Sequence, residues 1–323
     1  DMQHAISRLP WDFWEDEQEP VQIDAKGSEP LDLAYQHARL LPAVGTENYQ
    51  AVRSNREHPE LVVGLKNTYL HAPMLAYWNE RYHLQFLAAP VGEHEDPTVT
   101  LWTTSVDGKN WAPPKVLFPA FQPGVDTHMT ISHQRMGFYV SGDDRLLILS
   151  FYGTWPSPNE GLGVGRAVRE IRKDGSVGPL YFIRYNRHAG WDERNTPFPY
   201  YKTSPDVGFV AAGDEIMHDR LIVQQWWEED RSKDDFYLME GGGFKCKAFN
   251  WYTRKDGVMV GLFTAAWSNF SKDTGRTWSE IRKIPSIIVG EAKMWGQQTE
   301  DGKYGLVYNP HFEWRYPLVV NTS

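Results

Sequence analysis

A recurring hairpin unit constrains the fold of this chain more than any other sequence feature. Each unit consists of an apolar strand-like run, a turn rich in glycine and aspartate, and a second apolar run. The five units span residues 71–90, 133–153, 202–227, 247–267 and 293–310. Such units, recurring at a spacing of roughly 40–70 residues, are typical of a β-propeller with one four-stranded blade per unit. The sequence therefore predicts an all-β protein.

The blade count follows from the segments that flank these units. Residues at about 30–65 are expected to supply a further blade, and RYPLVVNTS (315–323) reads as the third strand of another. We predict one propeller domain over residues 1–323, with six to seven four-stranded blades, of which the last need not be complete.

A second repeat predicts how the strands are joined. SVDGKNW (105–111) and SKDTGRTW (271–278) share serine, aspartate, glycine and tryptophan, and each lies between two strand-like runs. In such Asp-box turns we expect the aspartate carboxylate to cap the turn, the glycine to take a positive φ, and the tryptophan to pack back on the strands. These turns indicate architecture and carry no chemistry.

Composition excludes several classes of protein. The net charge of −9 disfavours general binding of nucleic acid, which needs a basic surface. No run approaches the ~18 consecutive apolar residues that span a membrane. Cys246 is the single cysteine, which rules out an internal disulfide and a cysteine-rich zinc site. The chain begins without a signal peptide, and we expect a secreted or periplasmic protein whose signal has been removed.

A set of cationic or titratable residues opens the predicted inner strands of the units. The set is His71, His133 with Arg135, Lys202, Lys247 and Lys293. Inner strands line the central channel of a propeller, so equivalent positions should gather at one mouth of that channel. The set predicts a positive pocket for an anionic ligand, unless these are ordinary strand ends that face water.

Nearby aromatic and arginine side chains refine the prediction to an acidic sugar, because aromatic rings stack on sugars and cations bind carboxylates. The predicted substrate-binding residues are Arg135, Arg166, Lys202, Lys247, Trp251, Tyr252 and Lys293. HEDP (94–97) and HDR (218–220) read as turns, so we predict no metal site and no required cofactor. Whether a structural calcium ion is bound stays an open question, since no residue spacing in the sequence predicts such a site.

Three stretches carry a resemblance to a known family. They are LAYQHARLLPAVGTENYQAVRSN (33–55), NTYLHAPMLAYWNERYHLQFLAAP (67–90) and TISHQRMGFYVSG (130–142). Together with the SxDxGxxW turns, they resemble the sialidase-like propeller superfamily. Within it they resemble seven-bladed enzymes of gut Bacteroidetes and fungi that cleave the L-rhamnose-α-1,4-D-glucuronate caps of arabinogalactan proteins and gum arabic.

The resemblance implies two alternative chemistries. One branch is an α-L-rhamnosidase with a single catalytic histidine, which maps to His37; if the position maps to the adjacent Gln36, the hydrolytic residue is absent. The other branch is a lyase that performs β-elimination. The residues carried over for the lyase are His71, His133, Arg135, Tyr139 and Arg166.

Chemical reasoning leaves both alternatives open. Elimination needs a base at the C5 proton and cations at the uronate carboxylate, which the predicted pocket supplies. Hydrolysis usually needs two carboxylates, and Asp126, Asp192 and Asp206 are not visibly paired. The leading prediction is release of terminal L-rhamnose by hydrolysis. The alternatives are β-elimination at the same linkage and a propeller that binds acidic plant glycan without cleaving it.

A sialidase is disfavoured at this point. Sialidases of this fold need three arginines around the substrate carboxylate, a Tyr/Glu nucleophile pair and a FRIP-like motif near the start. The nearest match, RYPL, lies at residues 315–318.

Overall fold

The computed structural model describes residues 32, 45–62, 66–124, 128–133, 137–156, 163–226, 247–285, 287, 289, 292–311, 315 and 317–322. These residues fall into two compact units. The larger unit lies within residues 48–237, and the smaller lies within 1–47 and 238–323.

The first two sheets belong to the larger unit and are antiparallel. Sheet 1 comprises β1 (Tyr69–Trp78), β2 (Arg81–Ala89), β3 (Val99–Ser105) and β4 (Lys115–Phe118), in that order. Sheet 2 comprises β5 (Ile131–His133), β6 (Phe138–Val140), β7 (Leu146–Gly153), β8 (Gly163–Ile171) and β9 (Tyr181–Tyr185). Its order is β5-β7-β8-β9, and β6 also pairs with β7, so β5 and β6 occupy the place of a single first strand.

Sheets 1 and 2 share one hydrophobic core. Trp78 and Phe118 of sheet 1 pack with Ile148 and Phe182 of sheet 2, and every residue of β7 is buried. A strand that is buried on both faces is expected to be apolar throughout, as LLILSFYG is. The Trp78 indole also donates a hydrogen bond of 2.8 Å to Asp144 Oδ1, which ties the two hairpins together.

The smaller unit contains two further antiparallel sheets. Sheet 3 comprises β10 (Asn250–Thr253), β11 (Met259–Phe263), β12 (Trp267–Ser271) and β13 (Arg282–Lys283). Sheet 4 comprises β14 (Trp295–Gln298), β15 (Tyr304–Tyr308) and β16 (Val319–Thr322). Asn250 joins them, because its Nδ2 donates to Met294 O at 2.6 Å and its Oδ1 accepts from the Gly296 amide at 3.3 Å.

The predicted hairpin at 202–227 is wrong, because most of its described residues, 202–226, are helical. These residues form α1 (Val207–His218) and α2 (Arg220–Gln225). Asp206 caps α1 by accepting a hydrogen bond from the Phe209 amide at 3.0 Å. The buried residues of α1 recur at a helical spacing. Gly213 is a residue of α1 and not of a turn. A Cβ there would lie 2.6 Å from the Tyr201 ring, so the glycine lets this ring pack closely against α1.

The other four hairpins form as predicted. The described residues also contain four short 3-10 helices, at Pro59–Leu61, Arg187–Ala189, Tyr201–Thr203 and Thr264–Ala266. Among the described residues no helix is both long enough and apolar enough to cross a membrane.

The two motif turns share one pattern of hydrogen bonds, although the second is one residue longer. Asp107 Oδ1 accepts from the Asn110 amide at 2.8 Å, and Asp273 Oδ1 accepts from the Thr277 amide at the same distance. The following glycines have positive φ, at 70° for Gly108 and 81° for Gly275. Each tryptophan indole donates back to its glycine carbonyl at 3.1 Å. These turns join the third strand to the fourth in sheets 1 and 3.

The expected blade count is corrected by the sheets. The described residues form four sheets, not six to seven blades. The predicted count is too high because residues 207–225 are mostly helical and because residues 45–62, within the expected first blade, contain no strand. The expectation that 315–323 supplies a third strand is confirmed by β16, which pairs with β15.

Candidate functional site

A loop at one end of sheet 1 carries two carboxylates that each face a histidine. Residues 90–98 connect β2 to β3 at the end of the sheet where β1 begins, since Tyr69 pairs with Ala89. Glu93 Oε1 lies 3.4 Å from His71 Nε2, and the Tyr69 ring lies 5.6 Å from the His71 ring. A register irregularity in β1 between His71 and Met74 sets the position of this histidine.

The second histidine–carboxylate pair joins this loop to the segment that leads into sheet 2. Asp96 Oδ1 lies 3.0 Å from His128 Nδ1, and Asp96 Oδ2 accepts from the Met129 amide at 2.8 Å. The two segments are also tied by the backbone, where the Thr98 amide donates to Thr130 O at 3.2 Å. These hydrogen bonds hold Asp96 and His128 together just before the start of β3 and of β5.

An exposed tryptophan covers the second histidine. The rings of Trp155 and His128 are stacked, with centroids 4.4 Å apart and planes 7° apart. Trp155 lies two residues after the end of β7, at the end of sheet 2 where β5 begins, and it is 46% exposed. We call Asp96, His128 and Trp155 the Asp96 cluster.

The electrostatics of the cluster define how the imidazole is held. Burial disfavours the charged form of Asp96, but the hydrogen bonds from the Met129 amide and from His128 outweigh it and hold the pKa of Asp96 below its ordinary value. An ionised carboxylate only accepts hydrogen bonds, so Nδ1 of His128 carries a proton. Nε2 of His128 is then the atom that can take or give a proton.

Sequence reasoning missed this cluster. The sequence pattern predicts a turn at HEDP and points to neither His128 nor Trp155. The available signal is an acid and an aromatic residue that each precede a proline, Asp96-Pro97 and Trp155-Pro156, in the segments that follow the predicted units 71–90 and 133–153. Loops at strand ends are where binding residues concentrate.

The structure places only some of the predicted catalytic residues. His71 lies beside Glu93 as described. His133 ends β5 opposite Phe151, and its side chain lies outside the described part of the structure. Gln36, His37 and Arg135 also lie outside the described residues, so their roles stay predictions.

Tyr139 lies away from the row that contains His133. It is on β6 opposite Leu147, four residues along β7 from Phe151. Its hydroxyl donates to Glu215 Oε1 at 2.5 Å, which holds β6 against α1. Burial, with this hydrogen bond and the charge of Glu215, raises the pKa of Tyr139 well above its ordinary value, which disfavours the role of a base.

The three predicted lysines occupy different settings. Lys202 does not open a strand, which corrects the expected register: it lies in the 3-10 helix Tyr201–Thr203, pairs with Asp214, and has its Nζ 5.3 Å from the Tyr201 ring centroid. Lys247 and Lys293 lie in the smaller unit, each shortly before the first strand of its sheet.

The remaining predicted residues are on strands. Trp251 and Tyr252 lie on β10, where Trp251 stacks on Phe249 at 5.5 Å and Tyr252 contacts Tyr304 at 5.6 Å. Burial raises the pKa of Tyr252 to about 12. Arg166 lies on β8, where it is 2% exposed. Among the described residues no three histidine, cysteine or acidic side chains are grouped so as to hold a metal ion.

Comparison with known proteins adds a family and a set of similar structures. The family described as Beta-prop_BT_1020-like, N-terminal beta propeller, matches residues 21–242. A solved structure titled "Sialidase" is 42% identical with a TM-score of 0.85, and the match covers 92% of this chain and 28% of that protein. The chain thus spans little more than a quarter of that relative's length. No curated protein gives a significant match.

Two more distant structures show the fold alone. The intramolecular trans-sialidase from Ruminococcus gnavus, in complex with oseltamivir carboxylate, is 11% identical with a TM-score of 0.50 and covers 80% of each chain. The leech intramolecular trans-sialidase, complexed with 2,7-anhydro-Neu5Ac, is 10% identical with a TM-score of 0.52 and covers 86% of this chain and 60% of that one.

Proposed function

Because the chain belongs to the Beta-prop_BT_1020-like, N-terminal beta propeller family, we propose that it is a carbohydrate-active enzyme that hydrolyses the glycosidic bond of an acidic glycan. Several propellers similar to it carry sialidase titles, and one of them is 42% identical over most of this chain. Secretion or a periplasmic location fits such a substrate and is part of the proposal.

The Asp96 cluster is the observation that carries the proposal. An exposed indole at the end of a sheet offers a flat apolar surface on which a sugar ring can stack. The His128 imidazole lies 4.4 Å from the same indole and is oriented by an ionised carboxylate. The cluster therefore joins a platform for a ring to a group that can transfer a proton.

Hydrolysis adds water across the glycosidic bond, so two proton transfers must be supplied. Nε2 of His128 accepts the proton of the water that attacks the anomeric carbon, while Asp96 stabilises the imidazolium that forms. The oxygen of the leaving group must gain a proton from a second group. Glu93, on the same loop as Asp96, and His71 on β1, whose Nε2 lies 3.4 Å from Glu93 Oε1, are the candidates for that acid.

The first substrate we propose is the L-rhamnose-α-1,4-D-glucuronate cap of arabinogalactan or gum arabic. The sequence resemblance over residues 33–55, 67–90 and 130–142 supports it. The second is a sialoside, which the 42% identical structure titled "Sialidase" favours. Both carry a sugar carboxylate, so one assay panel separates them.

The test is to incubate the protein with gum arabic and with 3'-sialyllactose. Free rhamnose, free sialic acid and the absorbance of a 4,5-unsaturated uronate are followed. Rhamnose without absorbance supports hydrolysis of the first substrate, and free sialic acid supports the second. Rising absorbance means elimination and overturns hydrolysis. If neither glycan yields a product, the proposal of an enzyme is overturned, and the alternative of a propeller that binds glycan without cleaving it is favoured.

Variants assign the chemistry to the cluster. His128→Ala should lower kcat by about 100-fold or more, the usual contribution of a general acid–base group. The matched control is His58→Ala, because His58 forms a similar exposed pair with Glu60 at 3.2 Å and should keep full activity. His37→Ala should be silent; loss of activity in that variant alone would move the chemistry to His37.

The aromatic platform has its own control. Trp155→Ala should raise KM more than it lowers kcat, because stacking binds the ground state and the transition state alike. Trp295, also exposed, lies on β14, and Trp295→Ala should change neither constant.

A further inference from the structure

The outer edge of sheet 4 is open, and the proposed hydrolysis makes no use of it. Among the described strands only β15 pairs with β16, so the other edge of β16 (Val319–Thr322) has no strand beside it. Alternate residues of an edge strand point their backbone N–H and C=O groups to the open side. Such a row of backbone groups is a template on which another strand can pair.

Sheets 1, 2 and 3 protect the edge of their last strand. In sheet 1, β4 begins at Lys115 directly after two prolines, and in sheet 3, β13 consists of Arg282 and Lys283. Charges and prolines at an edge oppose pairing with a foreign strand. In sheet 2 the edge of β9 is covered, because the Phe182 amide donates to Pro199 O at 2.8 Å. In contrast, β16 reads VVNT and has neither a charge nor a proline.

One face of sheet 4 is apolar and exposed up to this edge. Trp295, Val307 and Val320 lie directly opposite one another on the three strands, so they project from the same face. Trp295 is 52% exposed and Val320 is 49% exposed. The opposite face carries Leu306 and Tyr308, which belong to the core that sheets 3 and 4 share. The exposed row of apolar side chains therefore ends at the open edge of β16.

The strands of sheet 4 also carry no charge. They read WGQQ, YGLVY and VVNT, whereas each of the other three sheets has lysine or arginine on its strands. Two copies of a chain with a net charge of −9 repel each other. An uncharged contact surface adds no pair of like charges to that repulsion, so sheet 4 is a surface at which two copies can meet.

We infer that β16 of one copy pairs antiparallel with β16 of a second copy, about a two-fold axis, and forms a homodimer. A two-fold contact is self-complementary, so the partner strand presents the same uncharged edge and the same apolar row. The two three-stranded sheets become one sheet of six strands, in which the two apolar rows meet at Val320. Main-chain hydrogen bonds supply the affinity, as in other cases of strand addition. This inference does not need the hydrolysis proposed above.

Sedimentation equilibrium tests the dimer. Two short strands are expected to bury less than the about 1,200 Å² of stable complexes, so the dimer should be weak. Mass action makes its population depend on concentration, and the mass should rise from one chain toward two between about 10 μM and about 500 μM protein. Activity and melting are measured at about 1 μM, where the chain should be a monomer.

Val320→Lys and Val320→Glu are the sharpest variants. In a two-fold contact the two copies of residue 320 lie on facing strands, within reach of long side chains. Each variant alone places like charges together and should weaken the dimer by more than about tenfold. An equal mixture of the two variants should recover the dimer through opposite charges. The matched control is Val106→Lys, at an exposed position of the motif turn in sheet 1, which should dimerise as the wild type does.

Thr322→Lys, an exposed position on the same strand, serves if a charge at residue 320 prevents folding, which circular dichroism checks. A wild type that stays monomeric at about 500 μM overturns the inference and leaves the edge to a strand of another protein. A mass that grows past two chains means open-ended association and also overturns it. So does a dimer that is unchanged in both variants of residue 320, or a mixture of them that stays monomeric.

Discussion

At the scale of single residues, burial decides what a histidine does in this protein. His83 is 3% exposed, and its ring is stacked on Trp102 with centroids 5.8 Å apart. Its Nδ1 accepts the indole N–H of Trp102 at 3.2 Å, so the ring is neutral and serves the core. Burial lowers the pKa of His83 to about 4, whereas His128 is held at the surface beside an ionised carboxylate.

The neutral His83 makes stability depend on pH. Its folded pKa of about 4 lies below the unfolded value of 6.5, so the unfolded state binds more protons between these values. The contribution of the neutral His83 to the free energy of unfolding is fully present above pH 6.5 and is lost as the pH falls toward 4. We expect the free energy of unfolding to drop by about 2 kcal/mol between pH 7 and pH 5 from this residue.

Urea unfolding at the two pH values measures this drop. His83→Phe should flatten the dependence on pH, whereas His58→Phe, at an exposed site, should keep it. An equal drop in the wild type and in His83→Phe would contradict the assignment.

At the scale of elements, the motif turn holds the last strand pair of a sheet through its tryptophan. Trp278 donates to Gly275 O at 3.1 Å and packs edge to face with Phe249 at 5.7 Å. Trp278→Ala should lower stability by about 3 kcal/mol, the lower end of the cost for a packed aromatic, because the ring is only half-buried. A thermal melt measures it, with the exposed Trp295→Ala as control, and an unchanged Tm would contradict the structural role.

The helical segment offers a second prediction at this scale. Asp206 caps α1 and also lies 3.0 Å from Arg145 Nη1. Asp206→Ala should cost about 1 kcal/mol through the lost cap, measured as a lower Tm. Asp206→Asn keeps a capping oxygen and should recover most of the loss. If Asn and Ala are equally destabilising, the ion pair with Arg145 outweighs the cap.

At the scale of the whole molecule, the net charge of −9 opposes the approach of an acidic glycan. Long-range repulsion acts over about 30 Å at 0.01 M salt and about 8 Å at 0.15 M. On the proposed function, kcat/KM for gum arabic should therefore rise as salt is raised through this range. A short sialoside with one charge should respond less, and a rate on gum arabic that falls with salt would indicate local attraction instead.

The hairpins and the motif turns were predictable because their causes lie within a few residues. A glycine with positive φ, an aspartate that accepts from an amide three or four residues away, and flanking apolar runs are all local. The segment 202–227 shows the limit. Gly213 and Asp214 are residue types that are common in turns. In the structure, however, Gly213 is a glycine because the Tyr201 ring packs against it, and the residues next to Gly213 in sequence do not reveal this contact.

What the sequence by itself determined is thus the all-β class, most hairpins and the joining turns, since each depends on contacts between near neighbours. The tertiary structure alone decided which side chains meet. Asp96 and His128 are 32 residues apart, and Arg166 and Trp226 come from different elements. Their proximity depends on the register of strands and on the loops that follow them, and no periodicity in the chain encodes such distances.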